Sequence, residues 1–103
     1  MDNYLSSQLY NTLMPKVKFT SALKPFFPTL TEVELEGSTV HEVLAKVEGQ
    51  FPGISSYLVD DTGSLRKHVN IFVQGDLIKD RNHLSDAVKK SDELLIFQAL
   101  SGG

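Results

Sequence analysis

Glu93-Leu94-Leu95-Ile96-Phe97-Gln98-Ala99-Leu100-Ser101-Gly102-Gly103 is an apolar, alternating run that passes straight into two glycines. From Glu93 to Leu100 the side chains alternate with the period of two that marks a strand. Leu94, Ile96 and Leu100 fall on one side and are expected in the core. Leu95, Phe97 and Ala99 fall on the other and are expected to face outward. Two glycines follow at once. At a glycine frequency of about 7%, such a pair ends roughly one chain in 200 by chance. The dipeptide alone therefore decides little, and a rigid strand that aims it decides much more.

Outward from this stretch the chain keeps supplying matching elements. Val69-Asn70-Ile71-Phe72-Val73 is the strongest strand, with Val69, Ile71 and Val73 on one face and Phe72 on the other. Gly75-Asp76 turns it, Leu77-Ile78 is read as a brief fourth strand, and Leu84 to Val88 as a short helical turn. Upstream, Lys16 to Thr20 and Glu32 to Glu36 alternate polar with apolar residues. They are read as two strands of a hairpin, the second ended by Gly37. Glu32, Glu34 and Glu36 then form a solvated strand face. Thr39 and Glu42 have the spacing of a helix capping box. Val40, Val43, Leu44, Val47 and Phe51 recur on one helical face, which Pro52-Gly53 stops. Ile54 to Val59 reads as an irregular or short helical turn, and residues 60–64 as a turn.

The order is strand, strand, helix, strand, short strand, strand: an α+β domain with a mixed sheet and one main helix on one face. Its 103 residues suit a single domain, with 41% hydrophobic and 22% charged residues, ordinary values for a globular protein. Residues 1–15 stand apart as an N-terminal extension. Leu5, Leu9 and Leu13 make a narrow stripe before Pro15, compatible with a docking or self-association helix and equally with a passive leader. The domain proper is read as 16–100, with 101–103 as a flexible tail.

Composition excludes several functions. The net charge of −3, with ten scattered basic residues, offers no stripe for nucleic acid. No apolar run approaches the roughly 20 residues of a membrane span, and the N-terminus lacks the pattern of a signal peptide, so a cytoplasmic protein is expected. With no cysteine there is no thiolate nucleophile, metal ligand or side-chain persulfide. His41, His68 and His83 are far apart without ligand spacing, and no metal site is expected.

The element order ending in Gly-Gly resembles the β-grasp arrangement of ubiquitin-like proteins. His68-Val69-Asn70-Ile71-Phe72-Val73-Gln74-Gly75 and the closing Ser91-Asp92-Glu93 to Gly102-Gly103 run resemble the MoaD/ThiS sulfur-carrier family, as does Phe51-Pro52-Gly53-Ile54. The resemblance spans residues 16 to 103. Gln98 stands where that family usually has proline, Ser91 where it has glycine, and Gln74 where it has asparagine.

The resemblance implies a carrier acting as co-substrate or small subunit, without a permanently bound cofactor. A ubiquitin-activating-type adenylyltransferase would use ATP to adenylate the Gly103 carboxylate. A sulfur donor would then convert it to a thiocarboxylate, with Gly102 and Gly103 as the thin tip that enters the partner's channel. Sulfur carried on the main-chain carboxyl agrees with the lack of cysteine. The closing motif tilts the reading toward a molybdopterin synthase small subunit, whose acceptor would be the synthase large subunit; thiamine, cysteine and tRNA thiolation stay open. A modifier joined through Gly103 to lysines is the second reading. Phe72, Leu95, Phe97, Ala99, Leu100 and Ser101 are the expected partner-binding residues; of these Phe72, Leu95 and Phe97 are outward apolar groups on an uncovered sheet face, which mark a binding surface. The alternative is that the N-terminal extension covers this face.

Asp61-Thr62-Gly63-Ser64 matches the core of an aspartic protease, which at this length would need a dimer to pair two carboxylates. Asp60 separates the motif from its strand and no partner motif follows. A plain turn is favoured.

Overall fold

The structure, a computed structural model, describes residues 14–99. Five strands form one mixed sheet: β1 (Lys16–Phe19), β2 (Val33–Glu34), β3 (Val69–Val73), β4 (Asp76–Leu77) and β5 (Glu93–Gln98). Their spatial order is β2-β1-β5-β3-β4. The last strand is thus the middle one. It runs parallel to β1, pairing Val17 with Leu94 and Phe19 with Ile96, and antiparallel to β3, pairing Val69 with Gln98 and Ile71 with Ile96.

One helix, α1 (Val40–Gln50), supplies the second layer. Its periodic residues Val40, Val43, Leu44 and Val47 join Val17, Val69, Ile71, Leu94 and Ile96 in one buried core. Burying a side chain of this kind is worth about 1.5–3 kcal/mol, which makes this layer contact the main driving force of the fold. Phe51 closes the helix from its C-cap position and meets Phe19 edge-to-face at 5.8 Å.

The helix start is capped more fully than the capping box implies. The Glu42 amide donates to Thr39 Oγ1 at 3.1 Å, as expected. The Glu42 carboxylate reaches back one residue further, accepting from the Ser38 amide and hydroxyl at 2.8 and 2.9 Å. The amides of Val40 and His41 donate to the carbonyls of Asp86 and Leu84. This is why residues 84–88 do not form the expected helical turn. Their carbonyls serve the first turn of α1, Thr39 and Ala87 form an isolated bridge, and Leu84 sits at φ 56°. Gly37 is required beside this start, because a Cβ there would lie 2.7 Å from the Val43 side chain and 2.8 Å from its amide nitrogen.

Other expectations hold with adjusted bounds. The second strand shortens to Val33–Glu34 and is joined to β1 through residues 20–32, which include a 3₁₀ turn at Ser21–Leu23. The link is therefore longer than that of a tight hairpin. A short helix α2 (Ser55–Leu58) follows α1. Gln74 and Gly75, both at positive φ, make the two-residue turn that shifts the fourth strand to Asp76–Leu77. Among the described residues no helix is long and apolar enough to cross a membrane.

Candidate functional site

Because β5 is the central strand, the chain leaves the sheet from its middle, braced on both sides. The Thr20 amide donates to the Ile96 carbonyl at 3.3 Å on the β1 side. On the β3 side, the Ala99 amide donates to the His68 carbonyl at 2.9 Å. Ala99 is the last described residue. Leu100, Ser101, Gly102 and Gly103 lie outside the described residues, as do residues 1–13 and with them the stripe of Leu5, Leu9 and Leu13.

The sheet face opposite α1 carries the residues that alternation assigns outward. Leu95 pairs with Phe72, and Phe72 pairs in turn with Leu77, so these three form one row across β5, β3 and β4. Phe97 sits in the next row, opposite Asn70. Phe97 and Leu77 are 39% and 51% exposed, which makes them the open part of the patch. Phe72, Leu95 and Ala99 are half-buried rather than fully exposed. Cross-strand neighbours in adjacent rows shield each other in this way. Leu77 was missing from the expected set. Its signal was the two-residue Gln74-Gly75 turn, which places Leu77 opposite Phe72 once the pairing is known.

The flanks of the patch differ in chemistry. Toward β1 and β2, Lys18 pairs with Glu32 and Glu93 at 4.0 and 3.3 Å, and Lys16 pairs with Glu32 at 3.6 Å. The glutamates thus belong to a self-compensated ionic edge. Toward β3, the Arg81 guanidinium donates to Asn70 Oδ1 at 3.0 Å and to the Arg66 carbonyl at 2.7 Å.

The carboxylates held below their ordinary range are structural. Asp80 is lowered to about 2 by the Ser85 hydroxyl and by the amides of His83, Ser85 and Asn82. Backbone donors at Ser38 and at Gly53 and Ser55 lower Glu42 and Glu48. The hydroxyl and amide of Thr62 lower Asp60. Beside the motif compared with a protease, Asp60 is therefore the residue that organises residues 60–64, while no hydrogen bond of the Asp61 side chain is seen among the described residues. Among the described residues no three His, Asp or Glu side chains are grouped to hold a metal. The local chemistry is thus that of a braced strand end beside an apolar face.

Residues 17–103 match the family model described as the ThiS family. The chain belongs to the ThiS family. Membership agrees with the closing motif and with the central last strand. The sulfur carrier protein CysO of Mycobacterium tuberculosis is 29% identical over 89 residues, covering 84% of this chain and 96% of that protein. Small archaeal modifier protein 1 of Haloferax volcanii is 32% identical over 72 residues, covering 69% and 78%. Among solved structures, a chain of the Amycolatopsis orientalis BexX/CysO complex superimposes with a TM-score of 0.75 at 29% identity, covering 86% of this chain and 99% of that one. The fold is thus the ubiquitin-like β-grasp, and relatives of this ThiS-family chain are small sulfur carriers and ubiquitin-like proteins.

Proposed function

We propose that this protein is a sulfur carrier whose Gly103 carboxylate is adenylated and then converted to a thiocarboxylate. The observation that carries the reading is the placement of β5 at the centre of the sheet, with Ala99 tied to His68 four residues before the end. Four residues span at most about 14 Å. A partner must therefore bring its nucleotide site close to the sheet end, and the apolar face around Phe97 supplies the surface to hold it there.

A carboxylate is a poor electrophile until activated. Its oxygen attacks the α-phosphorus of ATP on a ubiquitin-activating-type adenylyltransferase, pyrophosphate departs, and an acyl-adenylate forms. A sulfide-level donor adds to the acyl carbon, AMP leaves, and the terminus becomes a thiocarboxylate. Two glycines keep the tip free of Cβ atoms, so it fits a narrow channel. The sulfur is then delivered to an acceptor enzyme. The closing motif favours a molybdopterin synthase as that acceptor, whereas the relatives named CysO point to another acceptor for the same group.

A second reading, conjugation through Gly103 to lysines, draws support from the relative named a small archaeal modifier. One experiment separates the two. Incubation with the adenylyltransferase of the same organism, ATP and sulfide, followed by intact mass spectrometry, is expected to show one oxygen of Gly103 replaced by sulfur. Lysine adducts without that exchange would favour the modifier. A chain unchanged by the enzyme and ATP would sink both.

A further inference from the structure

The chain contains two arginines, Arg66 and Arg81, fifteen positions apart, and the fold brings them together beside the strand from which the tail departs. The Leu65 amide donates to the Arg81 carbonyl at 2.8 Å, so the two backbone segments are held side by side. Arg66 Nε donates to the Ser56 carbonyl at 2.9 Å. Arg81 binds Asn70, whose cross-strand partner is Phe97. The guanidinium of Arg81 therefore borders the apolar face at the level of Phe97, in the row after Leu95, Phe72 and Leu77. Lys67 is exposed next to His68, whose carbonyl holds Ala99.

Both guanidinium groups are bonded to neutral acceptors only. Among the described residues neither arginine nor Lys67 takes part in an ion pair, although Arg66 acts on Asp60 at longer range. The opposite flank of the face is different, because Lys16 and Lys18 are already paired with Glu32 and Glu93. One border of the apolar patch is thus electrostatically satisfied, while at the other Arg81 is held beside the face by Asn70, with Arg66 bound to it through its carbonyl and Lys67 exposed next in the chain. Arginine fits a carboxylate through two parallel N–H bonds, and a partly fixed guanidinium loses little freedom in doing so.

We infer that Arg81, with Arg66 and Lys67, forms the polar border of the docking face and receives an acidic surface of the adenylating partner. This rests on the carrier reading and adds the charge of the partner surface and the edge on which it lies. An acidic partner surface would meet the Arg81 guanidinium where it lies beside the apolar face. Encounter is thereby biased toward the orientation that presents the tail.

The test is adenylation kinetics with the full chain and the adenylyltransferase of the same organism, at low and high salt, for wild type, Arg81→Lys, Arg81→Met and Lys67→Glu. Wild type is expected to show a KM that rises with salt. Lys67→Glu, whose side chain makes no hydrogen bond among the described residues, is expected to raise KM about tenfold at low salt. That difference should shrink at high salt, with kcat unchanged. Arg81→Lys should fall between wild type and Arg81→Met. If Arg81→Met fails to fold, as a thermal melt would show, Lys67→Glu alone decides. A folded Lys67→Glu with wild-type KM at every salt concentration would overturn the inference and leave the carrier reading intact. So would a KM increase that ignores salt. A wild-type chain that is never adenylated would overturn the carrier reading and the inference with it.

Discussion

The amide of Ala99 donates to the carbonyl of His68, and this bond fixes where the sheet stops guiding the chain. Ala99→Pro removes the donor while keeping an extended backbone. The expected loss is about 1 kcal/mol, or a fall of about 4–8 °C in melting temperature. Adenylation should slow further than this loss of stability explains, because the tip would no longer be aimed. Measured adenylation equal to wild type in a folded variant would show that the brace is dispensable.

The apolar face offers a sharper test. Phe97→Asp and Leu77→Asp each put a charge on an exposed position, so folding should change by less than about 1 kcal/mol. Phe97→Asp should abolish ATP–pyrophosphate exchange by the partner, and Leu77→Asp should weaken it about tenfold, as expected for a more peripheral contact. Exchange at wild-type rates in both variants would remove this face from the interaction.

Gln98 carries a stability cost. It follows Leu94 and Ile96 on the core side of β5, and among the described residues its Oε1 is buried without a hydrogen-bond partner. An unsatisfied buried acceptor costs about 1–3 kcal/mol. Gln98→Leu should therefore raise the midpoint of urea unfolding with the slope unchanged. A lower midpoint would mean that the amide is satisfied in solution.

Asp80 organises the loop that caps α1, and its carboxyl titrates at about 2 instead of 3.8 because hydroxyl and amide donors favour the charged form. A depressed carboxylate stabilises the fold above its unfolded value and loses that contribution as pH falls toward the folded value. Thermal melts should thus separate wild type from Asp80→Asn above pH 4, and the gap should close as the pH approaches about 2. A carboxyl carbon signal titrating near the ordinary value would contradict the loop geometry.

Much of the fold was legible because it depends on period. Val69, Ile71, Leu94 and Ile96 are buried, as alternation requires, and the 3.6-residue spacing of Val40, Val43, Leu44 and Val47 marks the helix face. These patterns record which side of an element meets the core, and that is a local property of the sequence. Residues 84–88 escaped local reading because their carbonyls are committed to a helix more than forty residues earlier in the chain.

The site divides along the same line. An apolar strand followed by Gly102-Gly103, in a chain without cysteine, is read directly from the residues, and under the proposed function the Gly103 carboxylate is the group to activate. The family match spans residues 17–103. The packing of distant segments sets this strand at the centre of the sheet, extends the Leu95–Phe72 row to Leu77, and brings Arg66 and Arg81 together beside it. Strand order and cross-strand register join residues distant in sequence, and the spacing within one segment says which face a side chain takes but not which segment lies next to it.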